Sequence, residues 1–218
     1  MIRILLADDH PVIRKGISKS LKDFSKLFLI DEVDNAKDAI KRAEKNDYEL
    51  IFLDISMPYG GGLNALEQIM IIKPESKIII LSIHDELQYV FHSLKLGAKA
   101  YLTKIISSDE LEQAVKKVRA GGKYICFELA ERIALKENDD TYSTKHEILT
   151  NREFQIFYLI SEGKKPSKIA KDLSISPKTV GTHRRRILKK MNLSSTYDII
   201  KYSLMNNLIK KNDDIIKK

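Results

Sequence analysis

Three aspartates stand where buried chain runs out. Ile51-Phe52-Leu53 is wholly apolar and closes on Asp54; the run from Ile2 to Ala7 is nearly as apolar and closes on Asp8-Asp9. Runs of this kind read as strands covered on both faces, so each acid falls at a C-terminal strand tip. Met57-Pro58 and then Gly60-Gly61-Gly62 carry the chain away from Asp54 into a loop. Acids gathered at one sheet edge repel one another unless a cation neutralises them. Carboxylate oxygens suit Mg2+, which binds through one or two carboxylates plus phosphate. A carboxylate held beside such a cation can attack a phosphoryl donor and form an aspartyl phosphate. Two later strand ends offer groups for the phosphoryl oxygens: the Ser82 hydroxyl after Ile78–Leu81 and the Lys104 ammonium after Ala100–Thr103. Two other readings stay open on these residues alone. One is a phosphatase of the same strand-tip design acting on small phosphoesters; the other is surface acids with no chemistry.

The elements needed to place these groups recur along residues 1–122. Strands are expected at Ile2–Ala7, Phe28–Val33, Leu50–Asp54, Ile78–Ser82 and Ala100–Leu102, with helices near 11–23, 36–46, 62–72, 86–96 and 108–120. The last helix is well marked. Ser107 and Glu110 form a capping-box pair, Leu111, Ala114, Val115 and Val118 recur at helical spacing, and Gly121-Gly122 ends it. Five βα repeats predict an α/β fold with a five-stranded, doubly wound parallel sheet of the flavodoxin-like kind. Ligands of such sheets bind beyond the carboxyl ends of the strands, where the acids are.

Residues 123–145 are more polar and read as a linker, opening with a helical stretch from Glu128 to Lys136. Beyond them the chain reads as a smaller all-α domain over 146–211, followed by a charged tail at 212–218. Thr150 and Glu153 cap a helix through Phe154, Phe157 and Ile160 that stops at Gly163. A short helix follows at Pro166–Leu173. After the turn at Ser174-Ile175-Ser176, Pro177 takes the first position of a helix capped by Ser176, and a last helix runs from Thr196 to Asn206.

Charge separates the two halves. Residues 1–122 hold 18 basic and 18 acidic side chains, whereas 123–218 hold 20 and 12, so the whole net charge of +8 lies in the second half. A basic module joined to a neutral one points to a polyanion partner. From Lys178 to Lys190 there are six Lys/Arg and no acid. Lys178, Gly181, Thr182, Arg185 and Lys189 share one helical face; Val180, Arg184, Ile187, Leu188 and Met191 share the other. A short helix, a tight turn and a basic helix make a helix-turn-helix, whose second helix enters the major groove of DNA. The single cysteine, Cys126, excludes an internal disulfide and fits a reducing compartment. The apolar run at the N-terminus is too short for a signal peptide or a membrane span. The expected location is cytoplasmic, with no membrane partner.

Residues 1–122 resemble the receiver domain of bacterial response regulators. The resemblance rests on Ala7-Asp8-Asp9-His10, Asp54-Ile55-Ser56-Met57-Pro58, Leu81-Ser82, Gly97-Ala98 and Tyr101-Leu102-Thr103-Lys104. It implies that Asp54 accepts phosphate from a sensor histidine kinase. It also implies Mg2+ ligation by Asp9, Asp54 and the Ser56 carbonyl, with Asp8 acting mainly through water. Ser82 and Lys104 would hold the phosphoryl oxygens, and Tyr101 would be the aromatic switch. Ser56 and His84 would tune phosphate lifetime. Residues 148–211 are similar to the LuxR-type helix-turn-helix domain, through Leu149-Thr150-Asn151-Arg152-Glu153, Gly163, Ile169-Ala170, Leu173, Ile175-Ser176, Thr179-Val180, His183, Ile187 and Lys190-Met191. Joined to a receiver, this is the pattern of the NarL/FixJ subfamily. Its helix-turn-helix would span Lys165 to Arg184. Gly181, Thr182 and Arg185 would face bases, and Lys178, Thr179 and His183 would meet phosphates. The resemblance implies a DNA-binding transcription regulator that dimerises when phosphorylated, reads an inverted repeat and has RNA polymerase as a further partner. It also implies no enzyme activity beyond the receiver's own phosphorylation and dephosphorylation. Three positions depart from the family: Ile105 stands where proline often follows the lysine, Gly181 where lysine is common, and Lys165-Pro166-Ser167-Lys168 lacks the usual glutamate.

Overall fold

The computed structural model describes residues 1–58, 61–83, 87–136, 145–173, 175–206 and 208–209. Gly60, His84, Ser174, the start of the helix expected at 86–96 and the charged tail 212–218 lie outside them. Two compact units form, Met1–Asn138 and Asp139–Lys218.

In the first unit, strands β1 (Ile2–Ala7), β2 (Phe28–Val33), β3 (Leu50–Asp54), β4 (Ile78–Ser82), β5 (Ala100–Thr103) and β6 (Tyr124–Ile125) lie in the order β2-β1-β3-β4-β5-β6. All pairings are parallel. Helices α1 (Pro11–Phe24), α2 (Ala36–Lys45), α3 (Gly62–Ile72), α4 (Leu87–Lys95), α5 (Ser108–Arg119) and α6 (Phe127–Lys136) complete it. The sequence predicts five strands and the sheet has six. After Gly121-Gly122 the chain returns to the sheet edge, where the Tyr124 N–H donates to the Lys99 carbonyl at 2.9 Å. Two residues are too few to show a period, which is why β6 reads as linker. Together with α6 it extends the first unit well past residue 122.

Strand alternation sets two faces. Ile4 and Leu6, Leu50 and Phe52, Ile79 and Leu81, and Ala100 and Leu102 pack with Ile17 and Leu21 of α1 and with Leu111, Ala114, Val115 and Val118 of α5 in one buried cluster. Each of β1, β3 and β5 keeps the same parity two residues further on, at Asp8, Asp54 and Lys104. The residues that bury the α1–α5 face therefore also aim the polar groups at the strand tips to one side.

The second unit opens with a 3-10 turn (Lys145–Ile148), then α7 (Asn151–Ser161), α8 (Pro166–Asp172), α9 (Pro177–Met191) and α10 (Thr196–Met205). Thr150 and Glu153 make both bonds of the expected capping box. Arg152 ties α7 to the end of α8 by donating to the Leu173 carbonyl at 2.9 Å. On the far side α10 closes against α7: the His146 Nδ1 lies 3.1 Å from the Tyr202 hydroxyl, and Ser161 and Ser203 share a hydroxyl–hydroxyl bond of 2.6 Å. Ile199 is fully buried in this small core. Tyr197 and Met205 are the large apolar side chains that α10 leaves exposed.

Candidate functional site

Beyond the carboxyl ends of β1, β3 and β5 the structure gathers Asp8, Asp9, His10, Asp54 and Lys104. Asp8 and Asp54 are buried, at 0% and 1% exposure. Lys104 is equally enclosed and bridges them, its Nζ 2.9 Å from Asp8 Oδ2 and 2.8 Å from Asp54 Oδ2. The main chain fixes the other carboxylate oxygens. The Ser56 N–H donates to Asp54 Oδ1 at 3.0 Å, and the His10 N–H donates to Asp8 Oδ1 at 2.8 Å. Two loop contacts hold these donors. The Gly62 N–H donates to the Ile55 carbonyl at 2.8 Å, and Arg14 Nη1 donates to the Asp8 carbonyl at 2.6 Å.

The site is short of positive charge. Two buried carboxylates and the half-exposed Asp9 share one lysine. Burial pushes the Asp54 carboxyl up to about 6; Lys104 and the Ser56 N–H pull it down, and Asp8 adds to the rise. Leaving such acids in a closed edge is costly unless a cation completes them. Asp8, Asp9, His10 and Asp54 each offer a ligand atom, all within 4.8 Å of one another, so the donor set fits a divalent ion.

Ser82 and Tyr101 are placed differently. Both are fully buried. Ser82 pairs in register with Thr103, and Ile80 with Tyr101, so Ser82 and Tyr101 occupy the sheet face opposite to Asp54 and Lys104. Ser82 touches the cluster through its backbone, where its carbonyl accepts from the Lys104 N–H at 2.8 Å. The sequence reading gives His10 no role, yet its Nδ1 stands 2.6 Å from Asp9 Oδ1, 3.4 Å from Asp8 Oδ1 and 3.9 Å from Asp54 Oδ2. Its only sequence signal is an imidazole one residue beyond two acids.

On α9 the two predicted faces separate as expected. Val180, Ile187 and Met191 are buried, while Lys178, Gly181, Arg185 and Lys189 are exposed. Ser176 caps the helix, accepting from the Thr179 N–H at 3.1 Å, and the Thr182 hydroxyl donates back to the Lys178 carbonyl at 3.1 Å. Arg184 turns to the domain, donating to Thr196 Oγ1 at 2.7 Å. His183 is half-buried, and burial together with Arg152 and Arg186 holds its imidazole below the usual value. A Cβ at Gly181 would meet nothing within 4 Å.

Residues 4–116 match the family model described as "Response regulator receiver domain", and residues 147–203 match "Bacterial regulatory proteins, luxR family". Among curated proteins, the chain is 30% identical over 210 residues to "Response regulator GacA" of Pseudomonas aeruginosa, covering 96% of this chain and 98% of that one. It is 32% identical over 209 residues to "Response regulator UvrY" of Escherichia coli, covering 95% and 96%. Among solved structures, RcsB from Salmonella enterica serovar Typhimurium, bound to promoter rprA in the presence of phosphomimetic BeF3-, aligns with a TM-score of 0.62. It is 25% identical and covers 93% of this chain and 98% of that one.

Proposed function

The chain belongs to the two-component response regulators of the NarL/FixJ subfamily, transcription regulators with a LuxR-type DNA-binding domain, and from that premise we propose that Asp54 is its phosphoacceptor and α9 its DNA-reading helix. The observation that carries the first part is the buried Lys104 bridging Asp8 and Asp54 at a strand edge with more acid than base. A bound Mg2+, held by Asp9, Asp54 and the Ser56 carbonyl with Asp8 through water, would supply charge neutralisation for the incoming phosphoryl group.

The protein's own groups do the rest. Asp54, stripped of water and tethered at Oδ1 by the Ser56 N–H, attacks the phosphorus of a phosphohistidine; the P–N bond breaks as the P–O bond forms, and the imidazole leaves to the kinase. Lys104 exchanges its bond to Asp54 for one to a phosphoryl oxygen, where developing charge is greatest. The Ser82 hydroxyl then turns to the same side of the sheet, and the space it leaves admits a shift of Tyr101. That shift is how phosphate at Asp54 alters the second domain. DNA is met by Gly181, Thr182 and Arg185 at base edges and by Lys178, Thr179 and His183 at phosphates. The partners are DNA carrying an inverted repeat, a sensor histidine kinase, a second copy of the chain when phosphorylated, and RNA polymerase. The place of action is the cytoplasm. Among the described residues no helix is long and apolar enough to cross a membrane.

The test incubates the protein with a small phosphodonor and Mg2+ and follows both acid-labile labelling and operator affinity. Labelling is expected in the native protein and lost in Asp54→Ala. Equal operator affinity with and without donor in the native protein would defeat the phospho-switch, and turnover of a phosphoester panel would favour the phosphatase reading instead.

A further inference from the structure

After its fifth βα repeat the chain stays with the receiver unit for one more strand and helix. β6 pairs with β5 so that Ile125 stands in register beside Tyr101 and Tyr124 beside Ala100. Residues in register on parallel strands point to the same face. Ile125 therefore shares the face of Tyr101, while Tyr124 packs on the α1–α5 side. Tyr101 itself is fully buried. Directly after β6 the chain enters α6, which packs against α4. The attachment is slight. β6 gives two residues to the sheet, Cys126 and Leu129 are buried at 5% and 1% exposure, and Phe127 at the head of α6 is exposed. The joint also brings two acids together: burial, and after it the like charge of Glu128 on α6, push the Glu110 carboxyl on α5 up. Segments with few buried contacts open locally at a small fraction of the global free energy.

We propose that β6 and the first turn of α6 form a latch beside Tyr101 that a phosphoryl group at Asp54 loosens. The inference rests on the reading of Asp54 as phosphoacceptor and of Tyr101 as the aromatic that shifts, and it names the segment on which the shift acts. When the Tyr101 ring moves toward the space left by Ser82, Ile125 loses its neighbour on that face, and a gap left beside packed side chains is destabilising. The like charges of Glu110 and Glu128 repel and favour the open form. What holds β6 closed is then little more than a short edge pairing, in which the Tyr124 N–H donates to the Lys99 carbonyl at 2.9 Å. Opening the latch lengthens the free chain that precedes the second unit, which begins at Asp139.

Hydrogen exchange of the full-length protein, followed by mass spectrometry, reads the latch as exchange at residues 123–130. Beryllofluoride with Mg2+ serves as a stable mimic of the phosphoryl group, and slowed exchange at 54–57 reports that it is bound. In the native protein, exchange at 123–130 is expected to quicken by about tenfold or more when the mimic binds, a change well within the range of local opening equilibria. Leu129→Ala removes a buried side chain of the latch, so exchange there is already fast without the mimic and quickens little with it. Glu110→Gln removes one of the two like charges without altering β6 or α6, and slows exchange at 123–130 in the resting protein. Neither residue belongs to the phosphoryl site. Slowed exchange at 54–57 with unchanged exchange at 123–130 overturns the latch and leaves Asp54 as phosphoacceptor. Resting exchange at the native rate in Leu129→Ala overturns the latch as well. If the mimic does not bind and no phosphodonor labels Asp54, the phosphoacceptor reading falls, and the latch falls with it.

Discussion

At the scale of single residues, Lys104 decides the character of the acidic strand edge. It is enclosed between two buried carboxylates, and its removal would leave like charges facing each other in a dry space. Breaking a buried pair by deleting one partner typically costs about 3–5 kcal/mol. Lys104→Met is therefore expected to lower stability by that order in metal-free buffer, with added Mg2+ restoring part of the loss. Urea unfolding with and without the ion measures both effects. An unchanged midpoint in metal-free buffer would mean that the acids are not held apart by the lysine. Asp54 itself was legible in the sequence because an apolar run ending in an acid followed by Pro and Gly has few other readings. His10 was not, because only the folded chain shows which way its ring projects.

At the scale of elements, close approach and capping place the groups. The start of α3 is pressed against the end of β3 at Gly62: a Cβ there would overlap the Asp54 carbonyl oxygen and stand 2.8 Å from Ile55 Cα. The backbone on either side cannot yield without moving Asp54. Gly62→Ala is expected to cost about 1–3 kcal/mol, the usual range for overpacking, and to slow labelling by a phosphodonor; labelling at the native rate would show that the junction is slack. In the second unit Glu153 joins α7 to α9. It caps the Thr150 N–H at 2.9 Å and pairs with Lys190 at 2.7 Å. Burial alone would raise its carboxyl, but Lys190 and Thr150 prevail and hold it below the usual glutamate value. A carboxyl so lowered stabilises the fold fully above its ordinary value, and that contribution is lost as pH falls through the lowered one. Calorimetry between pH 6 and 3 should show the C-terminal unit weakening on acidification. Glu153→Gln should weaken it by about 1–3 kcal/mol at neutral pH, as expected when a bond to a charged group is lost, and should flatten the acid limb. An acid limb of native slope in the variant would assign the pH dependence to other carboxylates.

At the scale of the whole molecule, the two units divide by charge as well as by fold. Residues 1–122 are balanced, and the excess of eight positive charges belongs to 123–218. An exposed basic face on α9 binds a polyanion mainly through counterion release, so affinity should fall linearly on a log–log plot against salt. Lys178→Ala is expected to weaken binding about equally for specific and random DNA, and to reduce the magnitude of that slope by about one. A change confined to the specific site would mean that Lys178 reads a base. Gly181, at the centre of the exposed face, offers no side chain there, so on the proposed reading base contact falls to its neighbours Thr182 and Arg185.

The sequence by itself determined the periodic elements, the Ser107 cap of α5, which forms without the reciprocal Glu110 bond, the capping box of α7, the identity of the strand-tip acids and the concentration of charge in the C-terminal half. Each is a local property: alternation of two or 3.6 residues, a cap and its partner three residues on, a count of charges. Tertiary structure alone decided the rest. It brought Asp8, Asp54 and Lys104 to one side of the sheet through shared parity on β1, β3 and β5, and it left Ser82 and Tyr101 on the other side. It added β6, whose two residues become a strand only because the edge of β5 has unpaired backbone groups to accept them. It committed Ile199 to the small core, turned His183 partly inward, and brought the ring of His10 among the acids. Burial, strand register and side-chain direction depend on contacts between distant residues, and no spacing along the chain encodes them.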